Sequence, residues 1–124
     1  MSLQTWKKEF YPIEAGDTEK RQSVEHSLQK WNGVLPKNLK KHGLKRSNAK
    51  IFEDYGDAFE LDMDSCSLCT WFYNDAASSC SECPLHKSTG KTCGIHCHNQ
   101  YDAAIFDGKI QGMINALKKA RKFL

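Results

Sequence analysis

Apolar positions recur at helical intervals in two long stretches of the chain and at alternating intervals in one short stretch. Val24, Leu28 and Trp31 fall at i, i+4 and i+7, which places them on one helix face. Asp17 or Thr18 can cap that helix, Glu19 suits its first turn, and Asn32-Gly33 supplies the usual terminator. A second, short helix is predicted from Pro36 to Gly43, with Leu35, Leu39 and Leu44 turned inward. Ile110, Met113, Ile114, Leu117 and Phe123 form the apolar stripe of a docked amphipathic C-terminal helix. Before it, Tyr101, Ala104 and Ile105 give one helical turn, interrupted at Asp107-Gly108, where Asp107 can cap the C-terminal helix. Alternation appears in Lys50–Glu53 and Ala58–Leu61, a predicted hairpin around Asp54-Tyr-Gly-Asp57.

Elsewhere neither period holds. Trp6, Phe10, Tyr11 and Ile13 are crowded ahead of Gly16, and Pro12 excludes helix from the residue before it. Residues 1–16 therefore read as an extended aromatic arm that lies across the domain and buries its rings. Thr70-Trp-Phe-Tyr73 reads as a strand, being aromatic and compact. His26, beside Glu25 and Ser27, reads as a solvated surface histidine. No apolar run approaches the roughly 20 residues of a membrane span, so no membrane partner is expected. Met1–Phe10 has no signal-peptide character, and a reducing cytoplasm is the expected compartment.

Charge divides the chain into thirds. Residues 1–50 carry +6, residues 51–83 carry −8 with no Lys or Arg, and residues 84–124 carry +5. Either the basic flanks fold over the acidic centre, or one charged face is kept for a partner. Asp57, Glu60, Asp62 and Asp64 are the candidate partner-binding carboxylates. Asp62-Met-Asp64 lacks the rest of a calcium loop and reads as a solvated acidic turn. Lys37, Lys40, Lys41, Lys45 and Arg46 are the candidate phosphate contacts of a nucleic-acid-binding alternative. Lys50 projects with them, and no glycine-rich phosphate loop accompanies the set.

The chemistry lies between Cys66 and Cys83. Cys66-x-x-Cys69, ten residues and Cys80-x-x-Cys83 give two turns able to close a tetrathiolate site. Four thiolates saturate Zn²⁺ and leave no position for water or substrate, so such a site braces a fold and activates nothing. Cys93 can replace one of the four, or Cys93 and Cys97 with two of His86, His96 and His98 can hold a second zinc. An iron–sulfur cluster is the alternative cofactor, suggested by Cys83-Pro84 but not by the remaining spacing. His96 and His98 also admit a metal-dependent nuclease, although the intervals between cysteine pairs are short for its catalytic unit. The deaminase signature His-x-Glu before Pro-Cys-x-x-Cys is absent, and so is a thioredoxin-like βαβ setting.

The predicted fold is thus α+β: a small zinc-stapled domain with two N-terminal helices, a short β-hairpin, paired cysteine knuckles and a C-terminal amphipathic helix. Its parts are the arm (1–16), a basic helical part (17–50), an acidic and cysteine-rich part (51–98) and a C-terminal helical part (99–124). Glu25-His-Ser-Leu-Gln-Lys-Trp31, Leu39-Lys-Lys-His-Gly-Leu44, Cys66-Ser-Leu-Cys69, Cys80-Ser-Glu-Cys-Pro-Leu85 and Ser88-Thr-Gly-Lys-Thr-Cys93 together resemble small cysteine-rich, uncharacterised proteins of bacteriophage and prophage genomes. The resemblance implies a phage accessory protein in a bacterial cytoplasm, with Cys80, Cys83 and Cys93 in the family's cysteine pattern. Cys97 and its flanking histidines lie outside that pattern, and the resemblance brings no activity with it. The function expected is a non-enzymatic zinc-binding module that binds and modulates a host protein, with the nucleic-acid-binding and nuclease readings as alternatives.

Overall fold

The computed structural model describes residues 2–54, 56–61, 65–72, 83–89 and 100–123, except for the side chains of 86, 88, 89 and 100–103. Within them the protein is α+β, with helices arranged around α2 (Ser23–Val34) and one three-stranded antiparallel sheet.

The N-terminal arm is a helix over most of its length, α1 (Leu3–Phe10). Ser2 caps it: the Thr5 N–H donates to Ser2 Oγ at 3.2 Å, and the Ser2 N–H donates to Thr5 Oγ1 at 2.9 Å. Pro12 acts only locally, ending the helix at Tyr11. Trp6, Phe10 and Tyr11 are buried as expected, whereas Ile13 is exposed. Residues 15–17 and 20–22 form 3₁₀ turns, so α2 begins at Ser23, later than the capping residues suggested.

Gly33 lies inside α2 and does not terminate it. Its role is close approach: a Cβ there would lie 2.5 Å from Phe10 Cγ and 2.7 Å from Trp6 Nε1. The missing side chain lets α1 lay both rings on the α2 backbone, where Trp6 Nε1 donates to the Gly33 carbonyl at 2.8 Å. The terminator is Leu35, held extended by Pro36, which opens α3 (Pro36–Lys41). Gly43, at φ +68°, closes α3 as predicted. Leu39 and Leu44 are buried and Leu35 packs against the core.

Three short strands come next in the chain: β1 (Lys45–Ser47), β2 (Lys50–Phe52) and β3 (Ala58–Glu60), in the order β1-β2-β3. The expected hairpin forms between β2 and β3, with Ile51 opposite Phe59 and both buried. The additional strand β1 pairs Ser47 with Lys50 across Asn48-Ala49, and Asn48 takes φ 50°. Residues 67–72 form a helix, α4 (Ser67–Phe72), in place of the expected strand. Phe72 packs against the core while Trp71 is exposed, its Nε1 donating to the Thr18 carbonyl at 2.9 Å.

Ser88 and Thr89 belong to α5 (Pro84–Thr89). α6 (Gln100–Asp107) runs two turns and ends at Gly108, φ +70°. Asp107 does not cap α7 (Ile110–Ala120); Lys109 occupies the cap position without a side-chain bond. α7 buries Ile110, Met113, Ile114 and Leu117 and packs against α2, α5 and α6, while Phe123 beyond it is exposed. The buried apolar residues form one cluster from Leu3 to Ala120 that includes Leu68, Cys83 and Leu85. An apolar interior therefore reaches α4 and α5. Among the described residues, no helix is long and apolar enough to cross a membrane.

Candidate metal centre

Cys66 sits immediately before α4, in the position of a helix cap. The Cys69 N–H donates to Cys66 Sγ at 3.4 Å, and the Thr70 N–H donates to the Cys66 carbonyl at 3.1 Å. The Cys66 sulfur thus accepts a backbone hydrogen bond from within its own Cys-x-x-Cys turn. The Cys-x-x-Cys spacing is what folds that amide back onto the first sulfur. Cys83 stands in the equivalent place before α5: it is buried, Pro84 occupies the first helical position, and the Lys87 N–H donates to the Cys83 carbonyl at 3.0 Å.

The flanks of Cys66 are tied to α2. The Ser67 hydroxyl donates to the Ser23 carbonyl at 2.8 Å. On the other side, Lys30 Nζ donates to the Ser65 carbonyl at 2.9 Å. Ser23, Ser65, Ser67 and Lys30 are all buried. Cys80, Cys93, Cys97, His96, His98, Asp62 and Asp64 lie outside the described residues, as does the side chain of His86. Among the described residues, no three His, Cys, Asp or Glu groups gather into a metal-binding cluster. The donors present, Cys66 and Cys69 in one turn and Cys83 at the head of another helix, suit a soft or borderline ion such as Zn²⁺.

The charged candidates lie on the other elements. Asp57 and Glu60 are exposed at β3. Lys37, Lys40, Lys41 and Lys45 are exposed, and Lys40, Gly43, Leu44 and Lys45 help to line an open hollow of about 460 Å³. The basic set is partly engaged. Lys41 pairs with Glu9 at 3.0 Å, Lys45 pairs with Asp54 at 2.7 Å, and Arg46 is half-buried, donating to the Asn48 and Ile105 carbonyls at 2.9 Å each. Only the Lys45–Asp54 pair among these links a basic flank to the acidic centre, so the flanks match it in part.

Three polar groups escaped sequence reasoning. His26 is buried, not solvated, with Nε2 2.6 Å from the Ile13 carbonyl and Nδ1 without a hydrogen-bond partner among the described residues. Burial holds its pKa below the ordinary histidine value; the Ile13 bond opposes this, Lys30 adds to it and Glu14 offsets it. His42 bridges Thr5 Oγ1 at 2.9 Å and Glu9 Oε1 at 2.8 Å. Hydrogen bonds from His42 and then Lys41 hold the Glu9 carboxyl below its usual range. Thr5 Oγ1 also bonds both backbone groups of Ser2, so this hydroxyl–imidazole–carboxylate row fastens α1 to the end of α3. Lys30 is the third. A signal for two of the three was present: Ser23, Ser27, Lys30 and Val34 recur at helical spacing beside the apolar stripe, with His26 between them. Compared with protein-family models, with curated proteins and with solved structures, the chain finds a match in none of the three.

Proposed function

We propose that this chain is a non-enzymatic zinc-binding interaction module. Cys66, Cys69, Cys80 and Cys83 hold the ion, and an acidic surface at Asp57, Glu60, Asp62 and Asp64 engages a basic partner protein. In keeping with the resemblance to small phage proteins, that partner is a host protein in the bacterial cytoplasm. The observation that carries the reading is the Cys69 amide directed at the Cys66 sulfur, which folds the pair into the tight turn that a shared zinc ion needs. The exposure of Asp57 and Glu60 supports the second half.

Two measurements test it. Native mass spectrometry of the reduced protein is expected to find one zinc per chain, and a chelator is expected to lower the melting temperature sharply. Structural zinc contributes on the order of 10 kcal/mol to folding. A metal-free chain whose melting ignores the chelator defeats the proposal. Charge reversal at Asp57, Glu60, Asp62 and Asp64 is expected to abolish partner capture while leaving the melting temperature unchanged; undiminished capture places the interface elsewhere. The hollow lined by Lys40 and Lys45 favours nucleic acid as a second reading. It requires binding that falls steeply with salt, and a flat salt response removes it.

A further inference from the structure

The hollow of about 460 Å³ between α3 and β1 has two kinds of wall. Leu39 and Leu44 are buried and give it an apolar floor. Gly43 adds only backbone to that floor. A Cβ there would meet nothing within 4 Å, so the space above it is open. The rim is charged: Lys40, Lys45 and Arg46 line it with a single carboxylate, Asp54. Lys45 takes that carboxylate at 2.7 Å. Arg46 Nη1 donates to the Asn48 and Ile105 carbonyls, which fix the guanidinium without cancelling its charge. Among the described residues, neither Lys40 nor Arg46 is paired with a carboxylate.

Each wall disfavours one class of ligand. A neutral apolar molecule would cover the leucines and leave the positive excess unanswered. A phosphate chain would answer the charge at the rim, stay hydrated and gain nothing from the floor. A molecule with an apolar body and an anionic end uses both walls, and the volume falls within the range of small-molecule sites.

We propose that this hollow binds a small amphipathic anion: a ring system or short apolar chain bearing one carboxylate or sulfonate. The apolar part lies on Leu39, Gly43 and Leu44, and the anion sits beside Lys40. None of the cysteines takes part, so the site is independent of zinc. Two fluorescent probes test it on the full chain: anilinonaphthalene sulfonate, and phenylnaphthylamine, the same rings without the sulfonate. Each is titrated into wild-type, K40Q, G43N and K8Q chains, with circular dichroism following the fold. K40Q removes the free charge. G43N places a side chain over the floor, and Asn tolerates the positive φ of 68° found there. Lys8 is an exposed lysine on α1 and does not line the hollow.

The wild type is expected to bind the sulfonate about threefold to fivefold more tightly than the neutral probe, the worth of one exposed ion pair. K40Q is expected to erase that preference, G43N to weaken both probes, and K8Q to change neither. A wild type that binds neither probe overturns the proposal. So does unchanged binding in G43N, which places the probes elsewhere, and so does a preference that survives K40Q or is lost equally in K8Q. Displacement of the sulfonate probe by pyrophosphate as readily as by naphthalene sulfonate also overturns it, because charge alone then suffices. If G43N fails to fold, K40Q and the pyrophosphate competition decide the matter.

Discussion

Two of the helices that pack on α2, α1 and α4, are joined to it differently. At α1 the contact is mainly aromatic: Trp6 and Phe10 rest on Gly33, with one buried hydrogen bond from Trp6 Nε1 to the Gly33 carbonyl, and Trp6 also meets Phe59 of β3 with ring centroids 5.2 Å apart. At α4 the contact includes buried polar groups, with Ser67 on the Ser23 carbonyl and Lys30 on the Ser65 carbonyl. The first joint is specified by shape, and a single added carbon is enough to disturb it. The second is specified by hydrogen-bond direction and includes a buried ammonium. One helix thus carries an aromatic joint on one side and a polar one on the other.

The largest expected effect comes from breaking the polar joint. If the chain holds zinc as proposed, Cys66→Ser is expected to abolish that binding, at a cost on the order of 10 kcal/mol to the fold. Hydrogen exchange should then lose protection in 67–72 and 84–89 while the α1–α2 crossing keeps it; uniform loss along the chain would mean that the two joints are one cooperative unit. Next, Trp6→Ala removes a fully buried ring and is expected to cost about 3–5 kcal/mol in denaturant unfolding. Zinc stoichiometry should be retained below the new midpoint. Gly33→Ala tests shape alone: its methyl must displace Phe10 or Trp6, for about 1–3 kcal/mol. An unchanged midpoint would show that the crossing yields more readily than its distances imply.

The smallest effect is a pH dependence. Burial depresses the His26 pKa, so the folded state favours the neutral imidazole. Its contribution is fully present above the unfolded-state value of about 6.5 and is lost as pH falls through that value toward the lower folded one. Glu9, also depressed, adds a second loss at more acidic pH, below the ordinary value of 4.5. Melting temperatures are expected to fall between pH 7.5 and 5, and His26→Gln should flatten that interval while leaving the carboxylate loss in place. A slope unaltered by His26→Gln would assign the effect elsewhere.

Periodic apolar residues made the later part of α2, α3, α7 and the β2–β3 hairpin legible, because each buries one face and the spacing records it. The influence of Pro12 stops at Tyr11, so an extended arm does not follow from it. The Ser2/Thr5 capping pair and the Leu3, Trp6, Phe10 spacing determine the residues upstream. Local propensity favours strand for Thr70-Trp-Phe, and the tertiary setting of α4 overrides it. β1 was hidden because only Arg46 within it is even half-buried, leaving no alternation to read. Of the candidate centre, the cysteine spacing was visible from the outset. The buried lysine and serines beside it were not, since polar residues at helical spacing ordinarily mark a solvated face.

The docking of α7 on α2 places Arg121 against Glu25, 96 positions apart, with Nη2 3.0 Å from the carboxylate. During synthesis, the side of α2 that receives α7 has no cover until α7 itself emerges from the ribosome. Completion of this part of the interior therefore waits for residues 110–120, and a nascent chain stalled before residue 110 presents an oily flank to chaperones and proteases.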